Sequence, residues 1–211
     1  MTLDPEKSIL ILSGPNAGGK TVLLKSIGLA SQMARCGLPP CVGPGSKLPF
    51  FQNILVGIGD SQSVDEDLST FAAHLKLLSR CAEVTGYQNL LLIDEICGST
   101  DPEEGAALAK SFIRRFSANH VFAVITSHLG FLKSGWKDSD PVVNGSLEYD
   151  SRSSKPTYHF LQGIPGDSLA LLTAERVGID ADIIAKAKDY LSPAKRAQID
   201  ELKKIEELRR D

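Results

Sequence analysis

The sequence predicts an α/β domain with a mainly parallel central sheet flanked by helices. Three observations carry that expectation. Ile9-Leu10-Ile11-Leu12, Leu90-Leu91-Leu92-Ile93 after Asn89, and Val121-Phe122-Ala123-Val124-Ile125 are apolar runs of strand length with no polar alternation, the pattern of strands covered on both faces. Between these runs lie segments of helical length, so strands and helices alternate along the chain. The stretch joining the first run to the first helix, Gly14-Pro15-Asn16-Ala17-Gly18-Gly19-Lys20-Thr21, fits the pattern G-x-x-x-x-G-K-[ST] at every fixed position.

Taken in order, Ile9 to Ser13 reads as a buried strand and Val22 to Ala34 as the helix that follows the glycine-rich turn. Phe50 to Gly57 reads as a strand, and Phe71 to Cys81, which contains Leu75, Leu77 and Leu78, as a helix. Asn89 to Ile93 is expected to be a central parallel strand. Asp101-Pro102-Glu103-Glu104 is a helix start: an N-cap aspartate, proline at the first helical position and acids in the first turn, with the helix running to about Phe116. Val121 to Thr126 is another buried strand. Short β pieces are expected at Leu147 to Tyr149 and Thr157 to Leu161, then helices at Ser168 to Val177 and Ala181 to Tyr190.

After Pro193 the composition shifts. Ala194 to Asp211 is rich in charge, with Ile199, Leu202, Ile205 and Leu208 as a thin apolar stripe at helical spacing. The expected division is residues 1–192 as the globular domain and 193–211 as the start of a charged helical extension or a disordered tail. There is no internal repeat.

Composition narrows the function classes. At 211 residues the chain can bury one sizeable core, and its 23% charged and 42% hydrophobic content is that of a soluble globular protein. No apolar run approaches the roughly 20 residues that a membrane-spanning helix needs, and the N-terminus has no signal-peptide core. A net charge of −3 argues against a surface built throughout for nucleic acid. Cys36, Cys41, Cys81 and Cys97 form no C-x-x-C pair, so they read as reduced thiols of a cytoplasmic protein rather than as a zinc site.

The chemistry points to a nucleoside triphosphate. Glycines allow successive backbone N–H groups to curl around a phosphate, and a helix N-terminus favours negative charge. Residues Gly14, Pro15, Asn16, Ala17, Gly18, Gly19, Lys20, Thr21 and Val22 are therefore the expected nucleotide-binding stretch, with Lys20 on the β and γ phosphates and Thr21 on Mg²⁺. The apolar strand ending in Asp94-Glu95 supplies the second signal: Asp94 completes the Mg²⁺ shell and Glu95 is the general base for water. Gln62 reads either as a further Mg²⁺ and water sensor or as an exposed loop residue.

The order of the remaining motifs resembles the ATP-binding-cassette superfamily. Asp67-Leu68-Ser69-Thr70-Phe71 stands before a helix, Gly98-Ser99-Thr100-Asp101 follows the acids, and Thr126-Ser127-His128 ends the next strand. That resemblance implies an ABC-type fold with ATP sandwiched between two subunits. Ser69 would cap in trans the nucleotide held by the partner, and His128 would contact the γ-phosphate. Within the superfamily, Gly14-Pro15-Asn16-x-Gly18-Gly19-Lys20-Thr21, Leu68-Ser69-Thr70-Phe71, Asp94-Glu95-x-x-Gly98-x-Thr100 and Gly163-x-Pro165-Gly166-x-Ser168 resemble the DNA-repair ATPase family MutS. Asp101-Pro102-Glu103-Glu104-Gly105-Ala106-Ala107-Leu108 is most similar to its second bacterial branch, the Smr-tailed paralogue. Ile96, Cys97 and Ser99 depart from the family pattern, which has smaller residues there.

The resemblance spans Ser8 to Tyr190. It implies a homodimeric, Mg²⁺-dependent ATPase coupled to branched or mismatched DNA, or to collided ribosomes, through regions outside this chain, of which the chain is expected to be the excised ATPase domain. The alternatives are an ATPase of the chromosome-maintenance or transporter type and a non-catalytic, ATP-dependent dimerisation module. A transporter subunit would be expected to carry glycines after the signature serine, which Leu68-Ser69-Thr70-Phe71 lacks.

Overall fold

In the computed structural model, residues 1–15, 18–58, 67–133, 135–150, 155–166, 170–193 and 196 are described. The order of elements is β1 (Ile9–Ser13), α1 (Lys20–Arg35), β2 (Asn53–Gly57), α2 (Asp67–Cys81), β3 (Asn89–Ile93), α3 (Pro102–Ala118), β4 (Phe122–Thr126), a 3-10 turn (Gly130–Leu132), β5 (Val142–Asp150), β6 (Lys155–Gln162), α4 (Ala170–Arg176) and α5 (Ala181–Asp189). The chain divides into two compact units, Met1–Tyr149 with Pro156–Asp167, and Asp150–Lys155 with Ser168–Asp211.

The larger unit is built on one sheet of order β2-β3-β4-β1-β5-β6. The pairs β2·β3, β3·β4, β4·β1 and β1·β5 are all parallel, with Asn53 opposite Asn89, Leu90 opposite Phe122, and Ile9 opposite both Ala123 and Val142. The non-alternating apolar runs find their explanation here. Every residue of β1, β3 and β4 is buried. Successive side chains serve opposite faces, as the pleat dictates. Ile9, Ile11, Leu91, Ile93, Ala123 and Ile125 pack in one cluster with Leu78 of α2 and Ala109, Ile113 and Phe116 of α3. Leu10, Leu90, Leu92, Phe122 and Val124 pack on the opposite face with Leu24 of α1.

The helix start at Asp101 is as the sequence predicts. The Asp101 side chain accepts hydrogen bonds from the amides of Glu103 and Glu104 at 2.9 and 3.1 Å, and Pro102 opens the helix. Its buried face is Gly105, Ala106, Ala109, Ile113 and Phe116, a helical spacing.

Several boundaries differ from expectation. Strand β2 begins at Asn53 rather than Phe50, because Phe51 turns out of line into the core, edge-on to Phe122 with ring centroids 5.8 Å apart. Sheet pairing starts where Asn53 Nδ2 donates to Asn89 Oδ1 at 2.7 Å. The described run of helix α2 begins at Asp67, four residues before the expected start at Phe71, so Ser69 lies within the helix and does not precede it. The apolar spacing explains the extension, since Leu68, Phe71, Leu75 and Leu78 recur every three or four residues. The two late strands are longer than the short pieces expected; β5 starts earlier because Val142 and Val143 pair alongside Ile9 and Leu10 of β1.

The smaller unit is simpler. Helices α4 and α5 are joined through Gly178, at φ 80°, and α5 is capped by Asp180, whose side chain accepts from the Asp182 amide at 2.8 Å. Lys188 Nζ and Glu175 Oε1 pair at 3.2 Å beside a groove of ≈ 380 Å³ that Ile179 and Ile184 line. Of the charged stretch 193–211, residues 194–195 and 197–211 lie outside the described residues, as do Asn16, Ala17 and Gln62. Among the described residues, no helix is long and apolar enough to cross a membrane.

Two expectations follow from the packing. Phe116→Ala empties a fully buried site and should cost about 3–5 kcal/mol, whereas Asp101→Ala, which removes a cap, should cost about 1 kcal/mol. Denaturant melts of the two variants that reverse this order would contradict the assignment of α3 as a core helix. The cysteines sort the same way. Cys36 and Cys41 are exposed, Cys81 and Cys97 are buried, and burial pushes the Cys97 thiol up to about 11. Iodoacetamide at pH 8 should therefore label two thiols rapidly in the native protein and four after unfolding, read by mass spectrometry.

Candidate nucleotide site

The C-terminal ends of β1, β3 and β4, three neighbouring parallel strands, each deliver one of the motifs that the sequence singled out. This is the edge at which ligands bind in open α/β sheets. From β1 the chain enters the glycine-rich turn at Gly14, at φ 130°, and passes into α1 through Gly19, at φ 89°. A side chain at Gly19 would suffer twice, from the left-handed backbone and from Tyr158, whose Cε1 lies 2.9 Å from where a Cβ would sit.

The N-terminus of α1 differs from that of α3. No side chain caps it and no acid stands in its first turn. Instead a cation is held there: Lys20 is 3% exposed, and its Nζ donates to the Gly14 carbonyl at 2.5 Å. Burial pushes the Lys20 ammonium below its ordinary value. The nearby carboxylates of Glu95 and then Asp94 oppose that shift, and the Lys133 ammonium adds to it. Val22, the next residue but one, is half exposed on the outer face of α1.

Asp94 joins the motifs. Its Oδ2 accepts from Thr21 Oγ1 at 2.7 Å, and its Oδ1 accepts from Thr126 Oγ1 at 2.5 Å. The same Thr126 hydroxyl oxygen accepts from the Glu95 amide at 2.8 Å. One fully buried threonine thus fixes both acids, the first through its side chain and the second through its backbone. Glu95 and Cys97 adopt left-handed φ values of 49° and 51°, which folds the segment into a tight turn that Gly98 N closes on Glu95 O at 3.0 Å. The departures at Ile96 and Cys97 have a packing reason: both are fully buried in the core beneath this turn. His128 is exposed after β4 and lies against Gly98, with its Cε1 2.8 Å from the position of a Cβ there.

The structure thus brings Lys20, Thr21, Asp94, Glu95 and His128 to one edge with Gly14, Pro15, Gly18 and Gly19. Ser69 lies within α2, and its side chain is outside the described residues. Sequence reasoning gave no role to Thr126 or Ser13. Both are hydroxyl residues at the ends of apolar strands, and that position is the signal that could have found them. Tyr158 and Lys133 carry no comparable local signal, because tertiary folding alone brings them to the loop.

The donor set suits a nucleotide with its metal. An uncapped helix start with a buried cation suits an anion, and a hydroxyl beside a carboxylate suits Mg²⁺, which takes hard oxygen ligands while keeping several waters.

Comparison with known proteins agrees with this geometry. The family model for MutS domain V matches residues 10–195. Relatives named Endonuclease MutS2 are 42% identical over 196 residues in Gemmatimonas aurantiaca, 40% over 181 in Streptococcus uberis and 37% over 189 in Streptococcus thermophilus. Those matches cover 93%, 86% and 90% of this chain but only 24%, 23% and 24% of the relatives, so the chain spans about a quarter of their length. A phosphate loop, an acid pair at the next strand but one and a family match that runs through both place the chain in the MutS family, as a MutS2-like domain V, the ATPase domain with the phosphate-loop NTPase fold.

Proposed function

We propose that this domain binds ATP with Mg²⁺ and hydrolyses it, in a homodimer with composite sites. The observation that carries the reading is the 2.7 Å hydrogen bond from Thr21 to Asp94, which brings the two halves of the nucleotide motif together beside the buried Lys20. In this reading the amides at the start of α1 and the Lys20 ammonium hold the phosphates. Thr21 and Asp94 hold Mg²⁺, which when bound would neutralise charge on the β and γ phosphates. Glu95, fixed by its amide on Thr126, takes a proton from the attacking water onto its carboxylate. His128 contacts the γ-phosphate from the end of β4.

Ser69 is assigned to the partner's nucleotide. Support comes from the order of motifs along the sequence and from its place near the start of the described run of α2. The relatives' name, Endonuclease MutS2, supports DNA as the substrate of the whole proteins. We assign this chain the energy-coupling part of such a protein in the cytoplasm, with branched or mismatched DNA, or a collided ribosome, engaged by other regions. The charged stretch from residue 193 onward is assigned as the start of a helical extension.

Glu95→Gln should retain ATP and Mg²⁺ binding but slow steady-state hydrolysis about a hundredfold or more. Turnover within about threefold of the parent would remove Glu95 as the base, whereas a parent that binds ATP without turning it over would favour a non-catalytic, dimerisation role. Lys20→Ala should weaken binding itself, and unchanged affinity for a fluorescent ATP analogue would overturn the site.

Composite sites are tested by mixing. A Ser69→Arg chain and a Lys20→Ala chain should each be inactive alone. In the mixed dimer the intact Lys20 of the first faces the intact Ser69 of the second, so activity should return to about half the parental rate per mixed dimer. Co-purified mixed dimers without activity would contradict independent sites completed in trans.

A further inference from the structure

The motif Gly163-x-Pro165-Gly166 has no part in the roles above, yet it ends against the phosphate loop. The Gly166 amide donates to Ser13 Oγ at 2.8 Å, and Ser13 itself is buried. A Cβ on Gly166 would lie 2.5 Å from the Ser13 carbonyl oxygen and 2.8 Å from Gly14 Cα, so only a glycine can make this approach. The remaining polar group of Gly166, its carbonyl, accepts from Lys133 Nζ at 2.5 Å.

Lys133 is itself firmly seated. It follows the 3-10 turn, whose Leu132 is fully buried, and its amide donates to Gly130 O at 3.1 Å. Its carbonyl accepts from Asn144 Nδ2 at 3.1 Å, while the Asn144 carbonyl accepts from the Gly163 amide at 2.7 Å. One residue of β5 therefore ties down both the segment that carries the lysine and the loop that the lysine grips. The Gly14 residue beneath Gly166 is the same one whose carbonyl receives Lys20 Nζ.

We propose that Lys133 is a positioning residue for nucleotide binding: it clamps Gly166 onto Ser13 and Gly14 and so holds the first turn of the phosphate loop, with Lys20 on it, in shape before nucleotide arrives. This rests on the ATP-binding role proposed above. A rigid loop loses little entropy on closing round a ligand, so the clamp acts on affinity and leaves the chemical step alone.

Five chains decide the matter: the parent, Lys133→Gln, Lys133→Arg, Gly166→Ala and Lys20→Ala. Affinity is read by titrating a fluorescent ATP analogue with Mg²⁺, and clamp closure by amide hydrogen exchange across residues 162–166 without nucleotide. Lys133→Gln should bind about tenfold more weakly, the scale of one lost charged hydrogen bond. Its kcat at saturating ATP should stay within about twofold of the parent and its Tm within about 2 °C, since the loop is a local feature. Exchange across 162–166 should quicken. Lys133→Arg keeps a charged donor and should restore both readouts. Gly166→Ala, which wedges the contact open, should weaken binding at least as much.

Unchanged affinity in Lys133→Gln, with a parent that binds and a Lys20→Ala chain that does not, overturns the clamp and leaves the nucleotide site standing. So does a loss that Lys133→Arg fails to restore. A parent that does not bind the analogue at all overturns the nucleotide reading and the clamp with it.

Discussion

Asp94 sits between two hydroxyls, one from the start of α1 and one from the end of β4, and each of its carboxylate oxygens accepts one of them. A carboxylate at the edge of a core tolerates partial desolvation only when its oxygens are satisfied in this way. Because the two donors belong to elements far apart in sequence, the ends of β1, β3 and β4 cannot shift independently. Thr126 extends the link by accepting from the Glu95 amide, so the position of the second acid depends on the same buried side chain. A chain of hydrogen bonds of this kind strengthens cooperatively where the surroundings are dry.

The two helix starts are built in opposite ways. Helix α3 satisfies its first amides with Asp101 and adds Glu103 and Glu104 against its dipole. Helix α1 has neither device, and a lysine is buried there instead. An isolated helix would lose stability by that choice, since a cation at an N-terminus opposes the dipole. The arrangement makes physical sense for an anion that brings its own negative charge to the same place.

Around the acids, strain and packing balance. Glu95 and Cys97 hold left-handed backbones that non-glycine residues avoid, at a typical cost of about 1–3 kcal/mol each. Ile96 and Cys97 bury completely beneath the turn, and hydrophobic burial of about that size offsets the strain. Residues larger than the family pattern at these positions therefore anchor the turn to the core and leave its upper surface to Glu95, Gly98 and His128.

Much of this was legible in the sequence. Unbroken apolar runs fix β1, β3 and β4 because only strands covered on both faces can dispense with polar residues, and the Asp-Pro-Glu-Glu start fixes α3 because capping is a local interaction. The pattern from Gly14 to Thr21 and the acids after Ile93 are likewise visible as local patterns, and the structure brings them together. Strand order, the early start of α2 and the turning of Phe51 into the core required the tertiary structure, since each depends on partners distant in the chain. The same holds for Thr126, Tyr158 and Lys133. No local rule brings a threonine of β4 to an aspartate of β3, or a lysine beyond β4 to a glycine beyond β6; only the parallel sheet, which gathers the ends of remote strands at one edge, puts those side chains within hydrogen-bonding distance.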